Sequence, residues 1–149
     1  MSTYREEIGE KLNALLEKTY DAEKGYKKAA EKAKQANLKA FFERKSKQRN
    51  VFGHDLKSEL VSYGQEPDKG GSATGSMHRA WMDVKALFSG DNDESMLEAA
   101  ITGENAAVNE YKDVLQEVNL PPSTTTLLTQ QMGKIKNDLS VIKNLEDLA

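Results

Sequence analysis

The sequence predicts an all-α fold: a four-helix bundle made of two helical hairpins joined by one long crossover that carries a short extra helix. Three observations predict it. Long stretches of Ala, Leu, Glu, Lys and Gln favour helix by intrinsic propensity, and only three prolines interrupt the 149 residues. Apolar positions recur every three or four residues through four long segments. Short turns separate the first segment from the second and the third from the fourth, whereas about thirty residues (64–93) lie between the second and the third. A chain of this length suits one domain with one core, so residues 1–149 are taken as a single domain.

The first helix is expected over about 2–35, with Leu12, Leu16, Thr19, Tyr26 and Ala30 on one face. The second is expected over 37–63, opened by an Asn37 cap and turning Phe41, Phe42, Phe52, Leu56, Leu60 and Tyr63 inward. From Gly64 to Gly75 four glycines and a proline make a linker. A short amphipathic helix over about 76–89 follows, with Met77, Ala80, Trp81, Val84, Leu87 and Phe88 as its apolar stripe and Gly90 as its stop. The third long helix (94–119) starts in the acidic cap Asp91-Asn92-Asp93-Glu94, which suits the helix dipole, and ends before Pro121-Pro122. The fourth (123–147) carries Leu128, Ile135, Leu139, Ile142 and Leu145.

Composition excludes several classes of function. With no cysteine, neither a disulfide framework nor a thiolate metal site is available, and the cytoplasm is the expected location. The N-terminus is charged, and no stretch approaches the roughly 20 apolar residues of a membrane span, so no membrane association is expected. The glycine-rich linker lacks the preceding strand and the following Lys of a phosphate loop. The net charge of −3 hides an asymmetry, because residues 24–57 carry eleven Lys/Arg against Glu31, Glu43 and Asp55. A polyanion-binding surface is one reading of that stretch. The simpler reading is a solvated face, neutralised where Asp91, Asp93, Glu94, Glu146 and Asp147 reach the same end, and nucleic acid is disfavoured because no aromatic residues are set out for base stacking.

Polar residues interrupt the apolar rows at one level. Glu104 stands in the unbroken row Leu97, Ile101, Val108, Tyr111, Leu115 and Val118, and Glu23 lies between Thr19 and Tyr26. Gln48 shares a row with Phe41, Lys45 and Phe52, while Gln131 and Asp138 share one with Leu128, Ile135, Ile142 and Leu145. At about 1.5 Å per residue Glu23, Gln48 and Glu104 sit roughly 15 to 20 Å below one end of the bundle, with Asp138 and Gln131 bracketing that level. One polar side chain from each of four helices at a common depth is the arrangement that holds two irons in carboxylate bundles.

The segments Asp21-Ala22-Glu23-Lys24-Gly25-Tyr26, Gly75-Ser76-Met77-His78-Arg79-Ala80-Trp81-Met82 and Gly103-Glu104-Asn105-Ala106-Ala107 resemble, in this order and spacing, a bacterial ferritin-like family of four-helix-bundle proteins described as a domain of unknown function. That family is distantly similar to rubrerythrin and bacterioferritin. The resemblance covers nearly the whole chain and implies a ferritin-like bundle, without a settled activity. Where rubrerythrin-like proteins carry Glu-x-x-His, this chain has Gln48-Arg49-Asn50-Val51 and Gln131-Met132-Gly133-Lys134. Both histidines are absent, both glutamates are amides, and Lys134 adds positive charge.

Two functions from different classes follow as expectations. The first is a non-catalytic, stress-related bundle acting through its surface or by self-association through helix faces. In it Glu23, Gln48, Glu104, Gln131, Asp138, Tyr26 and Tyr111 form a hydrogen-bonded buried layer, with no cofactor and no catalytic residue. The second is a weak iron- or manganese-binding or ferroxidase-type protein that uses Glu23, Glu104 and Asp138. In the first reading at least one of Glu23 and Glu104 is expected to be protonated, and replacing both by Gln is expected to preserve the fold or raise its stability. Met77, His78, Arg79 and Trp81 are expected to dock the crossover helix, and His54 falls off the inner rows.

Overall fold

The computed structural model describes residues 4–67, 92–117 and 119–148. The expected linker beyond Pro67 and the expected crossover helix, with Met77, His78, Arg79 and Trp81, lie outside the described residues. Among the described residues the fold is all helix, with no strand. Its elements are α1 (Tyr4–Lys32), α2 (Ala36–Ser62), α3 (Asp93–Glu117), α4 (Pro122–Val141) and a terminal 3-10 turn (Leu145–Leu148).

Contacts between ends settle the topology. Asp93, at the start of α3, accepts hydrogen bonds from the backbone N–H groups of Lys34 and Gln35 in the α1–α2 turn. Tyr4, at the start of α1, donates to the carbonyl of Asn119 beyond the end of α3. Tyr63, just past α2, is hydrogen-bonded to Thr124 in the first turn of α4. Helices α2 and α3 therefore run parallel, each is antiparallel to α1 and α4, and the end of α2 and the start of α3 lie at opposite ends of the bundle. The hairpin α1–α2 and the hairpin α3–α4 pack side by side, α1 touching α3 and α2 touching α4.

Helix ends explain where the boundaries differ from the expected ones. The first helix stops at Lys32, not near Gln35, and α2 starts at Ala36 behind Gln35, not behind an Asn37 cap. Gln35 makes no side-chain cap of its own. The Asp93 carboxylate, from a different helix, supplies the acceptors at 2.9 and 2.7 Å. Helix α2 ends in a Schellman motif: Gln65 N–H bonds to Leu60 C=O, Gly64 N–H bonds to Val61 C=O, and Gly64 takes a left-handed φ of 69°. The fourth helix ends at Val141, six residues short of the expected 147. There Asp147 accepts from the N–H groups of Lys143 and Asn144, and Asn144 accepts in return from Asp147 N–H. These local side-chain bonds offer the backbone an alternative to another helical turn. Pro122 stands at the first position of α4, where its missing N–H leaves nothing unpaired.

The core is divided. One apolar cluster gathers Leu12, Leu16, Phe52, Leu56, Leu128 and Ile135 with their neighbours. The other gathers Tyr26, Ala29, Phe41, Phe42, Met96 and Leu97 near the α1–α2 turn. Charged side chains lie at the level between them.

Candidate functional site

The inner row of α2 reads Phe42, Lys45, Arg49, Phe52, Leu56, Leu60, stepping by threes and fours, and every member is buried. Two of the eleven cations in the basic stretch therefore belong to the core, which corrects the reading of that stretch as a solvated face. Lys45 has 0% side-chain exposure. Its Nζ lies 2.8 Å from Asp138 Oδ2 and 2.9 Å from Gln48 Oε1, donating a hydrogen bond to each. It also lies 2.8 Å from Glu104 Oε2, an ion pair made outside hydrogen-bonding angles. Arg49 donates through Nη2 to Glu104 Oε1 and through Nη1 to Gln48 Oε1, the latter at 2.7 Å. Its guanidinium carbon sits 5.8 Å from the Tyr26 ring centre and 5.5 Å from that of Phe52, so aromatic faces flank the buried charge.

Glu104, on α3, is the hub. Burial pushes its carboxyl up, but Arg49 and Lys45 outweigh that and hold it below the usual carboxylate range, with a hydrogen bond from Tyr26 adding to the effect. It pairs with two cations, and Glu23, the other acid of the expected pair, lies elsewhere, so the shared burial from which a protonated carboxyl was expected does not occur. Arg49 is pushed up in spite of desolvation, because Glu104 stabilises its charge. Tyr26 is raised well above the phenol range by burial and by Glu104, so it serves as a neutral donor to that carboxylate. Asp138, on α4, has 18% side-chain exposure, with Arg44 Nη2 3.8 Å away.

Each expected layer residue can now be placed. Glu104, Asp138, Gln48 and Tyr26 meet in this network. Tyr111 and Gln131 are buried next to it as a neutral pair: the phenol donates to Gln131 Oε1 at 2.7 Å, and Gln131 Nε2 donates to the Phe52 carbonyl at 3.3 Å. Burial raises the Tyr111 phenol as well. Glu23 does not join them. It is half-buried in the groove between α1 and α2, where it accepts from Asn50 Nδ2 at 3.2 Å, because a side chain one step around the helix from Tyr26 faces the hairpin groove instead of the centre. His54 is exposed.

Three residues escaped the sequence reading. Lys45 stood on an inner row, and its charge discouraged placing it in a core. Arg49 was read only as part of a broken metal motif, although the spacing 42, 45, 49, 52 carried the signal. Asp21 is the third: it is 2% exposed, one carboxylate oxygen has no hydrogen-bond partner, and desolvation pushes its pKa up to about 6 against a smaller lowering by Lys24.

The donor set does not fit a two-metal centre. Its carboxylates, Glu104 and Asp138, are already matched by the ammonium of Lys45 and the guanidinium of Arg49, and its remaining oxygens are neutral amides and phenols. Among the described residues no three His, Cys, Asp or Glu side chains are grouped to hold a metal ion, and no helix is long and apolar enough to cross a membrane. A divalent ion at Glu104 would have to approach two buried cations within about 3 to 5 Å, where repulsion is far stronger than in water.

The family model of a domain of unknown function, DUF2383, matches residues 7–117, so the chain belongs to that family. No curated protein and no solved structure matches it.

Proposed function

We propose that this member of the DUF2383 family is a non-catalytic protein with a ferritin-like bundle, in which side-chain cations fill the place that metal ions take in the catalytic members of that superfamily. The single observation that carries the reading is Lys45: wholly buried, its ammonium lies 2.8 Å from both Glu104 and Asp138. The network makes the layer self-sufficient, since each carboxylate has a cation and each cation a carboxylate. The one-crossover chain path supports the ferritin-like assignment, as do the residues that carry the family resemblance. On this reading the protein works through its surface or by self-association.

Anaerobic titration with Fe(II) and with Mn(II), read by melting temperature and by elemental analysis after desalting, tests it. The expected result is no saturable shift and no retained metal. A saturable stabilisation that disappears in Asp138→Asn would restore the metal-binding alternative, since a true ligand set would gain about 2.7 kcal/mol at a hundredfold excess over its dissociation constant.

A further inference from the structure

On the outer side of the charge network a groove of about 700 Å3 runs between α2 and α4, with Arg44, Gln48, Gln130, Gly133, Lys134 and Asn137 in its walls. We propose that this groove binds a small ligand bearing a multiply charged oxyanion.

Charge balance is the first argument. Around the layer four cations, Arg44, Lys45, Arg49 and Lys134, face two carboxylates, Glu104 and Asp138, and the excess is on the groove side. Lys134 makes no ion pair among the described residues; its Nζ lies 6.0 Å from the Phe52 ring centre. Arg44 has a 62% exposed side chain and reaches Asp138 only at 3.8 Å, so its guanidinium keeps free donors for a fork-like contact with phosphate or carboxylate. Asp138 opposes an anion here. Its charge is offset from within by Lys45 at 2.8 Å, and α4 carries no other acidic residue.

The amides give the second argument. Gln48 Oε1 accepts from both Lys45 and Arg49, which fixes the direction of its side chain. Its Nε2 has no acceptor among the described residues, and Gln48 lines the groove. Gln130 and Asn137 likewise bring side-chain amides without a partner among the described residues.

Gly133 is the third. It lies in the interior of α4, where glycine is less favourable than alanine, yet a Cβ there would meet nothing within 4 Å. Packing does not call for a glycine. Its effect is to open the groove so that a ligand can come close to the helix backbone.

The experiment is an amide NMR titration of the full chain with pyrophosphate and, separately, with citrate, at constant ionic strength in chloride. Saturable shifts confined to Arg44, Gln48 and residues 130–138 are expected, and the anion preferred identifies a phosphate or a carboxylate ligand. Lys134→Gln should weaken binding at least tenfold. Gly133→Leu, which projects into open space and leaves the packing alone, should abolish binding with the melting transition intact. Shifts that do not saturate, shifts centred on Lys27, Lys28, Lys32 and Lys34, or unchanged affinity in both variants would overturn the proposal.

Discussion

The ammonium of Lys45 on α2 lies 2.8 Å from the carboxylate of Glu104 on α3, joining two parallel helices through the middle of the bundle. Lys45→Met should therefore destabilise the protein by about 3 kcal/mol, because Glu104 keeps only Arg49 and the buried end of Asp138 loses its cation. Urea denaturation at pH 7 measures this.

Glu104→Gln is expected to be harmful, by roughly 3 to 5 kcal/mol. With only the carboxylates in view the same change is benign, since it removes the cost of burying a charge. With Lys45 and Arg49 in contact, it leaves two buried cations with Asp138 as their only counter-charge. A double-mutant cycle with Lys45→Met should show strong coupling, and additive effects would contradict the geometry.

Two acids give opposite pH slopes. Glu104 is held below its unfolded value, so its stabilisation is complete above the usual carboxylate pKa and is lost as pH falls through the folded value. Asp21 is raised to about 6, so the folded state keeps a proton that the unfolded chain releases. Its contribution is present below about pH 4 and is lost as pH rises to about 6. Asp21→Asn should raise the melting temperature at pH 7, with an advantage that shrinks toward pH 4, while the acid limb due to Glu104 persists.

Asp93→Ala should cost about 0.5 to 2 kcal/mol, the range for loss of a helix cap. It removes the acceptor for Lys34 N–H and Gln35 N–H at once. Hydrogen exchange at those two amides should accelerate, although the substitution lies 58 residues from Gln35 in sequence.

Gly133→Ala should stabilise the fold by about 0.5 to 1 kcal/mol, since α4 gains a better helix former at a position with open space around it. Thermal unfolding in the absence of ligand reads this directly.

Much of the architecture was legible in the sequence. Three-and-four spacing located all four long helices, and turn length paired them into hairpins. The helix ends were less legible. Asp93 caps a turn far from it in the chain, and the Asn144–Asp147 bonds stop α4 where apolar spacing alone continues through Leu145.

The sequence by itself determined the all-helical class, the order of the helices, and the presence of Glu104, Gln131 and Asp138 on inward rows, because periodicity is a local property of the chain. It also determined the loss of both Glu-x-x-His motifs. Only the tertiary structure decided what those polar residues do. A charge on an inner row is prohibitive until a counter-charge from another helix is beside it, and no pattern within α2 reveals that Glu104 and Asp138 arrive within 2.8 Å of Lys45. The same geometry turned Glu23 on α1, whose spacing matches an inward row as that of Glu104 does on α3, toward Asn50, because rotation about the helix axis is set by packing between helices and not by spacing within one.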